Sequence, residues 1–375
     1  MIVSAKRYVI LGAGAAGLSL CHALLERGVT DDITILDRKT AFNDDRTWCF
    51  WDTPPHPYSH LVSHCWHSWD VIGSDGRRAS QHSGRGYGCL RGIDFYAHVL
   101  EEIHRYPNVT LELGSPVEDI LPDADFIFDS RPRPVPPGGM TFSQRFFGQF
   151  VRTQSPTFDP SRCTLMDFQV SQERGLHFIY VLPFSPTEAL VENTYIQSPG
   201  TDPITAAEHK TEIRTYLSTH FGLDEFIAER EESGAIPMTT QEGPKRDGSV
   251  FYIGTAGGCS KPSSGYTFTR IQQQCRRIAD AVAAGTLESF EEPPTSARFR
   301  FFDTVFLQAL SDNPGAFPDY FYRLFSRVPP EKLTAFLSET SLWPSDLSIV
   351  RSLPLRPFLK AALQAAPLLT RSGPS

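Results

Sequence analysis

Residues 9–20, VILGAGAAGLSL, followed by ITILDRK at 33–39, decide the fold. An apolar run of strand formers leads into Gly12, Gly14 and Gly17, the G-x-G-x-x-G spacing, and a helix-like segment carries the chain to Arg27. A second apolar run then ends at Asp37. Each glycine has a mechanical task. Gly12 permits a tight strand-to-helix turn, Gly14 lets the backbone approach a pyrophosphate, and Gly17 lets helix and strand pack closely. The helix start adds unpaired N–H groups and a positive dipole end. Asp37 lies 20 residues beyond Gly17, where an acid binds a ribose hydroxyl. The segment predicts an α/β chain with a Rossmann-like dinucleotide-binding domain.

The rest of the composition narrows the class. With 375 residues and 40% hydrophobic content there is room for one large or two intertwined domains. No stretch approaches about 18 uninterrupted apolar residues, so no spanning helix is expected. The opening MIVSAKRYVILGAG runs straight into the nucleotide turn and reads as a strand, not a signal peptide. Seven cysteines without CxxC spacing point to reduced thiols and a cytoplasmic protein. His56, His60, His64 and His67 cluster, but no matching ligand pair follows, so no metal is expected. A net charge of −8 argues against nucleic acid. Residues 298–375 are the basic exception, with nine Lys/Arg against six Asp/Glu. They also carry nine phenylalanines, among them Phe299, Phe317 and Phe358. Such a region either rests on an anionic membrane surface or is a helical subdomain with an ordinary core.

Along the chain, residues 40–70 hold four of the five tryptophans among many prolines and read as irregular, pocket-lining structure. GIDFYAHVLEEIHR (92–105) has helical spacing, NVTLELG reads as a strand, and DADFIFDSRPRP (123–134) reads as a strand with a proline-marked exit. Four β-like runs between 141 and 197 predict an inserted antiparallel sheet, followed by the helical HKTEIRTYLSTHFGL. Residues 249–285 repeat the opening logic: strand, glycine-rich turn, long helix. The expected partition is a dinucleotide domain of 1–55, 85–130 and 235–290, a substrate domain of 56–84 and 131–234, and a helical region of 291–375.

With these motifs in hand the chain resembles the FAD-dependent lycopene cyclases, from about residue 7 to about residue 362. The carrying motifs are VILGAGAAG (9–17), DDRTWCFW (44–51), IFDSRP (127–132), QRFFGQFV (144–151), LMDF (165–168), LPFSPTEALVENT (182–194), GAIPMT (234–239) and GTAGGCSKPSSGYTF (254–268). The resemblance implies conversion of the acyclic ψ end groups of a carotene into β-ionone rings. This is a proton-initiated isomerisation without net redox change. It also implies FAD acting in reduced form, NAD(P)H as reductant, lycopene or a similar acyclic carotenoid as substrate, and residence on the inner face of the cell membrane. The family's catalytic glutamate falls, in the register of the LPFS segment, on Glu192. On an apolar strand its pKa is expected to rise by desolvation, which suits an acid that must protonate an alkene. Glu188, four residues earlier on the same side of a strand, is the nearer rival. Asn193 stands where a second acid is usual in plant members, so it either orients Glu192 or leaves the proton work to be shared with the flavin. FLSET (336–340) looks like an acidic motif, but its position makes Glu339 structural.

The expected cofactor contacts are Gly12, Gly14, Ala15, Ala16, Gly17, Asp37, Arg38, Arg46, Thr47, Trp48, Arg91 and Asp129. In the second turn they are Gly254, Ala256, Gly257, Gly258, Lys261, Pro262 and Gly265, with Lys261 facing the flavin anion or a phosphate. Trp48, Phe50, Trp51 and Phe184 are the expected walls of the substrate pocket, offering ring faces to a cation. A flavin-dependent cyclase of another terpenoid chain, and a redox flavoenzyme such as a monooxygenase or saturase, are the alternatives.

Overall fold

The computed structural model describes residues 5–51, 56–116, 123–136 and 140–371. Residues 52–55 of the proline-rich segment, and the partition limit set at residue 55, lie outside them. The first half runs β1 (Arg7–Leu11), α1 (Ala15–Glu26), β2 (Asp32–Asp37), β3 (Thr47–Trp51), β4 (His64–Ile72), β5 (Arg78–Arg91), α2 (Gly92–Ile103), β6 (Val109–Leu113) and β7 (Phe126–Asp129). Then come β8 (Thr141–Arg152), β9 (Arg162–Asp167), β10 (Leu176–Ser185), β11 (Glu188–Gln197), α3 (Ala206–Phe221), β12 (Ile227–Thr239), β13 (Arg246–Asp247), β14 (Val250–Tyr252) and α4 (Phe268–Ala283). The chain closes with α5 (Ala297–Asp312), α6 (Phe317–Arg327), α7 (Pro330–Leu337), α8 (Trp343–Ser352) and α9 (Leu355–Arg371).

Two sheets organise these elements. One has the order β13-β14-β7-β1-β2-β6 and is parallel except at β13. Both its faces are covered, so β1 and β7 are almost wholly buried. Gly12 takes φ +101°, and a Cβ there would meet the Ser130 Oγ at 2.3 Å. A Cβ on Gly17 would lie 1.9 Å from the Gly12 carbonyl oxygen, which is why α1 seats so tightly on β1. At Gly14 a Cβ would meet nothing within 4 Å, so the backbone there faces open space. Gly12 and Gly17 thus take the turn and packing roles their spacing implied.

The second sheet has the order β12-β8-β11-β10-β9-β4-β5-β3 and is antiparallel except for β4 against β9. It is larger than the expected insertion. Two parts of the aromatic stretch, Thr47–Trp51 and His64–Ile72, are strands of this sheet where irregular structure was expected, because β3 and β4 both pair with the long β5. By strand membership the sheets draw the line differently from the sequence: 47–51, 85–91 and 235–239, expected in the dinucleotide domain, belong with the large sheet. The edge strand β12 escaped notice since its AEREES start reads as a solvated charge run. Pro237 is tolerated there because β12 pairs with β8 alone.

Candidate active site

A cavity of about 1030 Å³ lies between the parallel sheet and the large sheet. At one wall stand Gly12, Gly14, Ala15 and Ala16. Helix α1 begins at Ala15 with no side-chain cap on Gly14, so its first N–H groups are left for a ligand. Asp37 lines the same wall and accepts hydrogen bonds from the Ala13 and Lys39 N–H groups at 2.6 and 2.8 Å. Arg38, Arg46, Thr47, Trp48 and Asp129 also line it, and Asp129 is held by Arg131 at 2.7 Å. Helix α4, which packs against α1, presents a second uncapped N-terminus at Thr267 to the same cavity. An open backbone cradle, two helix starts and a terminal acid fit an anionic dinucleotide.

The second turn borders the cavity, but apart from Gly265 the lining residues differ from those expected. Thr255, Ser264, Gly265, Tyr266 and Thr267 face the cavity, whereas Gly254, Ala256, Gly257, Gly258, Lys261 and Pro262 do not. Gly254 and Gly257 shape the turn instead. A Cβ at the first would press within 2.7 Å of Ala16, and one at the second within 2.3 Å of the Tyr252 carbonyl oxygen. Lys261 is 2% exposed and its Nζ is bound by Asp303 and Glu339, both at 2.9 Å. Its charge is thus spent on fastening the helical region to this turn, and Glu339 is structural. Arg91 is likewise outside the lining. It grips Asp44, which also takes Arg230 at 3.0 Å.

The floor of the cavity is the large sheet. Glu192 lines it beside Leu190 and Tyr180, its cross-strand neighbour. Glu192 is half-buried, and the surface it retains opens into the cavity. Burial pushes its pKa up to about 8, a nearby Glu232 charge adds to that, and the Thr194 hydroxyl at 3.0 Å opposes it. Glu188 is on the same strand face, but sits at the sheet rim in a 2.7 Å ion pair with Arg152, away from the cavity lining. Asn193 points to the opposite face, as strand alternation requires. It is bound there by His177 and donates to Glu212 at 2.5 Å, so it cannot orient Glu192.

Glu232 was missed from sequence. It is 5% exposed, lines the cavity, and receives the Thr47 hydroxyl at 2.8 Å and the Arg230 guanidinium at 3.3 Å. Burial lifts its pKa to about 7 against the opposing pull of Thr47 and Arg230. The signal that pointed to it was its place just before the GAIPMT motif.

Of the expected pocket aromatics, only Trp48 reaches the lining, stacked on Phe268 at 5.0 Å. Phe50 lies behind Phe268, Trp51 packs in the core against Trp69 and Tyr87, and Phe184 stacks on Phe150. The aromatic walls are elsewhere. A second, apolar chamber of about 280 Å³ shares Gln144, Tyr180, Ser264 and Tyr266 with the first, and Phe178, Phe301, Phe306 and Phe321 from the sheet and helices line it. Its far end reaches Val350, Leu355 and Leu359, which are exposed on α8 and α9. The C-terminal phenylalanines thus form core and chamber wall, while the exposed apolar face consists of Leu342, Trp343, Leu347, Val350, Leu355, Leu359 and Leu363.

All seven cysteines are free thiols. Among the described residues no group of three or more His, Cys, Asp or Glu is placed to hold a metal ion. Nor is any helix among them long and apolar enough to cross a membrane.

Comparison with known proteins agrees with this geometry. A family model described as "Lycopene cyclase protein" matches residues 8–363. A lycopene beta-cyclase of Pseudescherichia vulneris is 25% identical over 76% of each chain. One from a Paracoccus strain is 29% identical over 73% of this chain and 72% of its own. Among solved structures, a geranylgeranyl bacteriochlorophyll reductase-like protein of Thermoplasma acidophilum covers 98% of each chain at 10% identity, with a TM-score of 0.59. A flavin-dependent brominase covers 98% of this chain and 99% of its own at 13% identity, also with a TM-score of 0.59. The fold is that of these flavoenzymes.

Proposed function

The chain belongs to the lycopene cyclase family, and on that premise we propose that it closes the ψ end groups of lycopene, or a closely similar acyclic carotenoid, into β-ionone rings without net redox change. The observation that carries the reading is a pair of adjoining spaces. A glycine-turn cradle and a desolvated glutamate line the first, and the second, a greasy chamber, shares Gln144, Tyr180, Ser264 and Tyr266 with it.

FAD, loaded in reduced form by NAD(P)H, would supply an electron-rich ring that favours a neighbouring carbocation. Gly12, Gly14, Ala15 and Ala16 would receive its phosphates, Asp37 its ribose, and Arg38, Arg46, Thr47, Trp48, Asp129 and Gly265 the rest of the cavity wall. Glu192 is the acid. Held neutral by burial, it delivers its proton to the terminal alkene, and the neighbouring double bond closes on the resulting tertiary cation. Tyr180 and Tyr266 stand where the chambers join, so ring faces border the path of the polyene.

The exposed leucines of α8 and α9, with exposed Arg351 and Arg356 beside them, form the face that rests on the anionic inner leaflet and admits the polyene from lipid. Expression in a lycopene-accumulating bacterium tests the function. The expected outcome is replacement of lycopene by a cyclic pigment of the same mass. Unchanged lycopene, or a product altered in mass, would defeat it.

A further inference from the structure

Strand β8 lies between β11 and β12, and its register brings two acids to one residue. Gly148 is the direct cross-strand partner of Glu192 on one side and of Glu232 on the other. Cross-strand partners share a face of the sheet, so both side chains rise on the cavity side. With strands about 4.8 Å apart, the two backbones are about 10 Å from each other. A Cβ on Gly148 would lie 2.9 Å from the Leu190 Cδ1, 3.3 Å from the Glu232 Cγ and 3.7 Å from the Glu192 Cβ. A glycine inside a strand marks a close approach. Here the missing side chain makes room for Leu190 between the stems of two glutamates, and both glutamates line the same cavity.

Their surroundings make them unequal. Glu232 has the Thr47 hydroxyl and the Arg230 guanidinium, both of which favour its anion. Arg230 is in turn fixed by Asp44, which Arg91 grips. Glu192 has one hydroxyl, from Thr194, and no cation within ion-pair distance among the described residues. Two buried like charges so close resist ionising together, and environments that push two carboxyls apart assign an acid and a base.

We propose that Glu232 is a second catalytic carboxylate, the base that completes the reaction Glu192 begins. This rests on the cyclase reading above. The Glu192 O–H bond breaks as its proton forms a C–H bond at the terminal alkene. After ring closure, the Glu232 carboxylate takes a proton from a ring carbon, whose C–H electron pair becomes the new ring double bond. Glu232 is then neutral and Glu192 ionised; Glu232 releases its proton to solvent and Glu192 takes one up from solvent, which restores the start. Nothing is consumed, as an isomerisation requires.

The test compares the parent protein with the variants E232Q and E232D, each purified with FAD, in a lycopene-vesicle assay under reducing conditions. Bound flavin reports folding. E232Q is expected to hold flavin and to lose turnover by about 100-fold or more. Its residual product should be enriched in ring isomers whose proton left from a different carbon. E232Q turning over within about threefold of the parent, with the same ring isomer, overturns the proposal. Should E232Q fail to hold flavin, E232D decides. A fall of about tenfold or more in a flavin-loaded protein supports a reach-dependent base, and near-parental turnover overturns it. A parent that makes no cyclic product defeats the cyclase reading itself, whereas an active E232Q defeats this inference alone.

Discussion

The β1–α1 turn and the β8–β11–β12 floor line the same cavity and are built on opposite principles. The turn works by removing side chains, so that backbone N–H groups and a helix start meet the ligand directly. The floor works by placing two ionisable side chains where water is scarce, so that their proton affinities depart from those in solution. On the proposed reading, one region binds and the other reacts. A defect in the first should therefore abolish loading, and a defect in the second should leave loading intact.

The largest effect is expected in the turn. Gly17→Val forces a side chain into a place where even a Cβ would lie 1.9 Å from a carbonyl oxygen. It should cost about 3 kcal/mol or more and yield little folded protein, seen in denaturant unfolding. Gly14→Val meets open space instead. It should fold normally and lose FAD affinity by about 100-fold or more in a flavin titration, since the new side chain stands where a pyrophosphate should. Equal behaviour of the two variants would break the distinction between a packing glycine and a binding glycine.

Asn193 sharpens the comparison from the floor's reverse side. Asn193→Ala leaves buried His177 and the Glu212 carboxylate short of a partner. It should cost about 1–3 kcal/mol in urea unfolding, with flavin loading and product identity unchanged. A switch in ring isomer would place Asn193 in the chemistry after all.

The next expectation concerns pH. Glu192 binds its proton more tightly folded than unfolded, with a pKa lifted from 4.5 to about 8. In that window the unfolded chain holds fewer protons, so this group's contribution to stability declines as pH rises and is fully lost above about pH 8. Glu192→Gln should remove that decline and gain on the order of 2 kcal/mol over the parent at pH 8 relative to pH 5. A constant difference between the two proteins across this range would contradict the burial argument. The smallest effect is expected at the exposed leucines. Leu359→Asp should weaken binding to anionic vesicles in a sedimentation assay by about 1–2 kcal/mol while leaving the fold intact.

The two regions also differ in how far the sequence reveals them. The turn is local: strand, glycines, helix and acid follow one another within 9–37, so each constraint is read in series. The floor joins residues 148, 192 and 232 across three strands, and only their register shows that they meet. Glu192 became a candidate because a motif carried it, and it lines the cavity. Glu232 was hidden in a charged stretch, and Gly148 passed as an ordinary strand glycine. Asn193 shows the reverse case: strand alternation alone would have turned it away from its neighbour's face. Lys261 and Arg91 were misplaced for a related reason, since a cation near a cofactor turn is drawn as readily to a carboxylate of the fold. Asp303 and Asp44 lie far from them in sequence. The aromatic count in the C-terminal region was legible, but not which rings would face inward.

The most direct measurement of the central claim is an anaerobic assay in D₂O, with reduced FAD and lycopene in vesicles, comparing the parent with Glu192→Gln by mass spectrometry and chromatography. The account predicts that the parent forms a cyclic product carrying one added deuterium per ring, and that the flavin-loaded variant falls by about 1000-fold. A parent product gaining two hydrogens or an oxygen, or a Glu192→Gln variant that cyclises at the parental rate, would contradict it.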